Sequence, residues 1–83
     1  MYEVIIENKP RKQIRSFPVQ LVKRIDKALT ALRQNPRPPG SEKLTGTDGW
    51  KIRVGDYRIL YAIDDKNKLV TIYRIRHRRE AYR

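Results

Sequence analysis

Cysteine is absent from all 83 residues, so neither disulfides nor a thiolate zinc site can reinforce the core. No run of about 18 apolar residues offers a membrane span. The opening MYEVIIENKP lacks the basic-then-apolar pattern of a secretion signal, and a soluble cytoplasmic protein is expected. Histidine occurs once, as His77, and Asp64–Asp65 sit together in a turn segment without a visible carboxylate partner. A divalent site wants several oxygen or nitrogen ligands converging, so metal chemistry is poorly supported. There is no phosphate-cradling glycine loop and no nucleophile-elbow motif, and Ser16 and Ser41 lie in unpromising contexts. An enzyme built from this chain works with Lys, Arg, His and Tyr, and without a cofactor.

Acidic residues are also scarce. Nine Asp+Glu against twenty Lys+Arg leave a formal charge of +11 and a pI near 10.5. In one small domain spanning 1–83, that is an electrostatic footprint for a polyanion. Nucleic acid fits first and an acidic protein second. A membrane surface fits poorly, because no helix pairs a strongly apolar face with a basic one. The excess charge repels itself in the compact state, which favours a neutralising partner.

Trp50–Ile63, WKIRVGDYRILYAI, reads as two strands joined by a two-residue turn at Gly55–Asp56. Tight pairing sets Val54 opposite Tyr57, Arg53 opposite Arg58, Ile52 opposite Ile59, Lys51 opposite Leu60 and Trp50 opposite Tyr61. Opposed residues share a face. Trp50, Ile52, Val54, Tyr57, Ile59 and Tyr61 then form a core face, and Lys51, Arg53 and Arg58 lie on the other. Like charges directly across a ladder destabilise it. A rigid patch of three cations suits an anion better than it suits folding.

Tyr2–Glu7 reads as a strand, apolar enough on both sides for an interior position. Asn8 is a fair cap for a short helix with Pro10 in its first turn and Ile14 and Phe17 facing inward. Its Lys9, Arg11, Lys12 and Arg15 read as a solvated face. The main helix runs from Pro18 to about Gln34, with Val22, Ile25, Leu29 and Leu32 as its stripe and Leu21 and Ala28 widening it. Asn35–Pro36 ends it. The stretch 37–49 reads as an ordered loop pinned by Leu44. Leu69–Arg76 is a last strand, with Leu69, Thr71, Tyr73 and Ile75 on one face and Val70, Ile72, Arg74 and Arg76 on the other. The result is an α+β fold in the order β-α-α-β-β-β, a mainly antiparallel sheet with two helices on one face. Its open face carries the cations.

Such residues suit cleavage of RNA by its own 2′-hydroxyl, which needs no external nucleophile. The hydroxyl must lose a proton, the phosphorane charge must be held, and the leaving 5′-oxygen must gain a proton. Arginine forks grip phosphate in two places. Lys51, crowded by Arg53 and Arg58, is a candidate base, and His77 is a candidate acid by chemistry alone. Tyr82 is placed to stack on a base or join the proton transfer. Blander roles compete: a lone histidine in an arginine-rich tail is usually solvated, and Tyr82 has equal reason to pack the tail down. Arg74 and Arg79 read as general RNA-binding charge.

The run NPRPPGSEKLTG, WKIRVGDYRILYAI and IYRIRHRREAYR resembles the RelE toxins of type II toxin–antitoxin systems, within the RelE/ParE superfamily. The likeness covers nearly the whole chain, and GDYR and HRRE-x-Y are its most specific pieces. It implies a toxin that cuts mRNA in the ribosomal A site without metal and stops translation. It also implies a cognate antitoxin, RelB-like or otherwise acidic, that covers or distorts the basic face in a hetero-oligomer. By position, the family's strand lysine and the basic residue two further on fall at Lys51 and Arg53, its strand arginine at Arg58 and its terminal tyrosine at Tyr82. The tail arginine falls at Arg78 by spacing to the histidine motif and at Arg76 if no gap is allowed. Arg53 replaces a lysine of the best-known member, which favours Lys51 as proton acceptor. Arg76 stands where many relatives have glycine.

Two readings compete with the ribonuclease. The ParE branch keeps the fold, poisons DNA gyrase and lacks the RNA-cutting cations. A non-catalytic basic module would bind RNA or the ribosome through diffuse charge, so that losing Arg58 would barely matter.

Overall fold

The computed structural model describes residues 1–78. In chain order these form β1 (Glu3–Ile6), α1 (Asn8–Arg15), α2 (Val19–Gln34), β2 (Glu42–Lys43), β3 (Gly49–Val54), β4 (Tyr57–Asp64) and β5 (Leu69–His77). The strands make one five-stranded sheet in the order β1-β5-β4-β3-β2, antiparallel except for the parallel β1–β5 pair. Arg79 and Tyr82 lie outside the described residues.

The central hairpin has the expected register, from Trp50↔Tyr61 to Val54↔Tyr57. Its turn works because Gly55 takes φ +60 while Asp56 does not, the pattern of a type II′ turn whose twist matches the strands. α2 packs Ile25, Leu29 and Leu32 onto the inner faces of Ile52, Val54, Ile59, Tyr61, Val70, Ile72 and Ile75. Tyr61 is fully buried at no polar cost, since its hydroxyl donates to the Pro36 carbonyl at 2.7 Å. Asn35 stops α2 in extended geometry ahead of Pro36.

Four expectations need correction. β1 is an edge strand, paired only with β5, and its outward Ile5 is exposed. Its apolar alternation reported contact with the core on one side, not neighbours on both edges. Glu7, not Asn8, occupies the position before α1, without a side-chain cap, and Pro10 in the first turn is buried. The stretch read as loop contains β2, which pairs Glu42 with Lys51 and Lys43 with Trp50.

The largest correction is in β5. Strict alternation put Val70, Ile72, Arg74 and Arg76 on one face, but a bulge shifts the register between Leu60↔Arg74 and Tyr61↔Ile72. Val70 and Ile72 point into the core, as does Ile75, while Arg74 and Arg76 turn outward. Burying unpaired guanidinium groups would cost far more than one irregular step in a ladder.

Candidate nucleic-acid interface

The register places three arginines in one row across three strands. Arg53 faces Arg58, and Arg58 faces Arg76. The neighbouring row is Lys51, Leu60 and Arg74. Both rows lie on the sheet face away from α2, so the expected cluster of Lys51, Arg53 and Arg58 is assembled, and the bulge adds Arg74 and Arg76 to it. A groove of about 590 Å³ runs between Lys51, Arg58, Arg74 and Arg76, with Leu60, Leu44, Tyr73 and Glu7 completing its walls. Lys51 and Arg58 also wall a smaller depression of about 170 Å³ beside Arg53 and Glu42. Tyr73, Arg74 and Arg76 wall a third, of about 410 Å³, toward Lys9, Pro10 and Gln13 of α1. Neighbouring depressions share walls, Lys51 and Arg58 at one divide and Tyr73, Arg74 and Arg76 at the other, so the three line up as a cationic track across the strands.

Individual side chains are held in distinct ways. Arg53 donates from Nε to the Gly55 carbonyl at 3.1 Å, which ties it to the hairpin turn. Lys51 Nζ sits 3.5 Å from Glu42 Oε2. Of the two candidate tail arginines, Arg76 lines the groove beside Arg58. Arg78 lies past the end of β5, its backbone N–H donating to the Asp56 carbonyl at 2.6 Å. His77 is not part of this cluster. Its pairing with Tyr57 places it on the helix-covered face, where its ring meets Tyr57 edge-on at 5.0 Å, and Tyr57 in turn packs on Phe17 at 4.7 Å.

Sequence reasoning missed Glu42, Glu7, Leu44 and Tyr73 as groove residues. All but Tyr73 reach the groove through long-range folding, which leaves no local pattern to read. A clamp behind the groove explains how the 35–49 segment is held. Arg37 grips Asp65 with Nη1 and Nη2 at 3.2 and 2.8 Å, and the Tyr2 hydroxyl donates to the same carboxylate at 2.5 Å. The Arg37 guanidinium also lies 5.3 Å from the Trp50 ring centre. The hydrogen bond from Arg37, then that from Tyr2, holds the Asp65 carboxyl down at about 2. The same bond raises the Tyr2 phenol. Leu44 N–H closes the segment onto the Gly49 carbonyl at 2.9 Å, which sets Leu44 at the groove.

Among the described residues, no three His, Asp or Glu side chains converge as metal ligands, and no helix is long and apolar enough to cross a membrane. Chemically, the site offers fixed positive charge over an accessible backbone patch, one lysine amine, two carboxylates at the rim and a partly exposed phenol.

Comparison with known proteins agrees with this architecture. A family model described as the ParE toxin of the type II toxin–antitoxin system parDE matches residues 7–82. Toxin RelG of Mycobacterium tuberculosis is 31% identical over 86 residues, covering 99% of this chain and 97% of RelG. A chain of an archaeal RelE–RelB complex from Pyrococcus horikoshii superposes with a TM-score of 0.86 at 30% identity, over 93% of this chain and 94% of that one. A chain of the RelBE2 toxin–antitoxin complex from Mycobacterium tuberculosis gives 0.80 at 28% identity, over 93% and 98%. With the fold, the cationic face and near full-length similarity in agreement, this chain belongs to the RelE/ParE family of toxins from type II toxin–antitoxin systems.

Proposed function

We propose that this chain, as a single toxin domain, cuts mRNA in the A site of the ribosome and so stops translation in the cytoplasm. The observation that carries the reading is the row Arg53, Arg58, Arg76, of which Arg58 and Arg76 wall an open groove and Arg53 the depression beside it. Like charges so placed weaken the sheet, and an RNA phosphate would relieve them. In the reaction, the 2′-oxygen attacks the adjacent phosphorus and the bond from phosphorus to the 5′-oxygen breaks. A 2′,3′-cyclic phosphate results, and the 5′-oxygen leaves as a hydroxyl by taking a proton from Tyr82 or from water. Arg58 and Arg76 hold the phosphorane charge, with Arg53 at the turn end of the row. Lys51 takes the 2′-proton as its neutral amine, and the Glu42 carboxylate, 3.5 Å from it, is a second acceptor in reach. Arg78 and Tyr82 act from the tail, with Tyr82 stacking on a base or completing the proton transfer. Arg74 and Arg79 supply general RNA-binding charge, and no metal takes part. His77, facing Tyr57, is assigned packing instead of acid catalysis.

A cognate antitoxin, such as the RelB chains that accompany the structural relatives, would neutralise the basic face. The ParE family model keeps gyrase poisoning as the second reading. Antitoxin-free protein should be added to a translating extract containing EDTA, and the messages mapped by primer extension. Cuts within codons on ribosomes, absent with Arg58→Gln, support the proposal. Intact messages together with gyrase-linked DNA breaks would replace it with the second reading.

A further inference from the structure

Tyr73 has no part in the phosphate chemistry, yet its position is closely specified. It sits on β5 at the bulge, and its hydroxyl lies where a side chain at Gly49 of β3 would be. A methyl at Gly49 would come within 2.5 Å of that hydroxyl and 2.9 Å of Leu44 Cδ1. Gly49 does not have positive φ, so its backbone does not demand glycine; the space does. β5 and β3 are two strand spacings apart, about 10 Å, with β4 between them. The Tyr73 side chain therefore crosses above β4, whose residue paired to Gly49 is only Ala62.

The ring is half-buried, and neither Tyr73 nor Leu44 belongs to the hydrophobic core or packs against it. It walls two of the three depressions along the cationic track, as do Arg74 and Arg76. An accessible aromatic flanked by cations in an open groove is the arrangement by which proteins hold single-stranded nucleic acid, with charge on the backbone and a ring under a base. A ring serving only to pin Leu44 would not need to share both of its depressions with the same two arginines, Arg74 and Arg76.

We propose that Tyr73 is a stacking platform for a nucleobase next to the phosphate held by Arg58 and Arg76, with Leu44 as its apolar side wall. This deepens the reading of the groove as an RNA site and rests on it. The test uses antitoxin-free toxin and ribosomes whose A-site codon carries 2-aminopurine and a 2′-O-methyl group that blocks cleavage. Wild type and Tyr73→Phe should both quench the fluorophore. Tyr73→Leu should bind roughly 10- to 100-fold more weakly, the loss of one base–aromatic stack, and quench little at saturation. Thermal unfolding of each variant separates this from misfolding. Gly49→Ala, which keeps the ring but displaces it, should also lose quenching. Full quenching by Tyr73→Leu, no quenching by saturating wild type, or no binding of the programmed ribosome would each overturn the proposal. A protein that quenches the blocked codon but leaves unmodified messages whole would defeat the nuclease reading and leave the stacking site standing.

Discussion

Replacing Arg58 with glutamine should make the protein more stable and nearly inactive. Arg58 directly faces two arginines, Arg53 on β3 and Arg76 on β5. Each opposed like-charge pair costs about 0.2–1 kcal/mol, so removing the central charge relieves roughly 0.4–2 kcal/mol. Arg58 also makes other interactions that the substitution forfeits, which places the net gain toward the lower end, about 0.5–1 kcal/mol. At about 4–8 °C per kcal/mol for a domain of this size, Tm should rise by roughly 2–8 °C. The effect is electrostatic and mostly at the surface, so it should shrink as the screening length falls from about 10 Å at 0.1 M salt to about 3 Å at 1 M. Cleavage on ribosomes should fall about 100- to 1000-fold, as for loss of a transition-state donor. Differential scanning fluorimetry at the two salt concentrations and single-turnover cleavage measure both halves. A lower Tm for Arg58→Gln, a Tm gap indifferent to salt, or a loss of cleavage no larger than the loss of binding would refute the reasoning.

Acid should expose the Asp65 clamp. Its folded-state carboxyl is held near 2, below the usual value of about 3.9, so its contribution is complete above the unfolded value and is lost as pH falls through 2. The Tm difference between wild type and Asp65→Asn should thus be constant above about pH 5, shrink steadily below it and be lost by about pH 1; a difference undiminished at about pH 2 would exclude the clamp. Binding to a short single-stranded RNA should fall with salt at a log–log slope of roughly −3.5, since Lys51, Arg53, Arg58, Arg74 and Arg76 line one track and each neutralised phosphate contributes about −0.7. Arg74→Gln should flatten that slope by about 0.7 with little effect on the rate of bound complexes. An unchanged slope would remove Arg74 from the interface.

The hairpin was readable because its causes are local. Gly55–Asp56 selects the turn, the turn sets the register, and the register alone brings Arg53 opposite Arg58. The α2 stripe was equally plain at Ile25, Leu29 and Leu32, since a helix repeats its inward face within a few residues of itself, although Leu21 and not Val22 packs against the core. Strand β1 was misread as interior because apolar content on a short strand does not report how many neighbours it has. Arg74 and Arg76 were expected on the open face, but that Val70 and Ile72 of the same alternation face the core depends on a single extra residue at Tyr73, and no alternation pattern announces a bulge that only core packing requires.

Composition and local chemistry, by themselves, determined that this chain carries a basic face on a small α+β domain and which hairpin builds it. Folding over long sequence distances decided the rest. It added Arg76 to the row, set Glu42 beside Lys51, carried Tyr73 over to Gly49 and turned His77 away to meet Tyr57. Turn geometry is enforced by a few neighbouring dihedrals, whereas these juxtapositions exist only once one shared core has chosen which side of every strand it will bury.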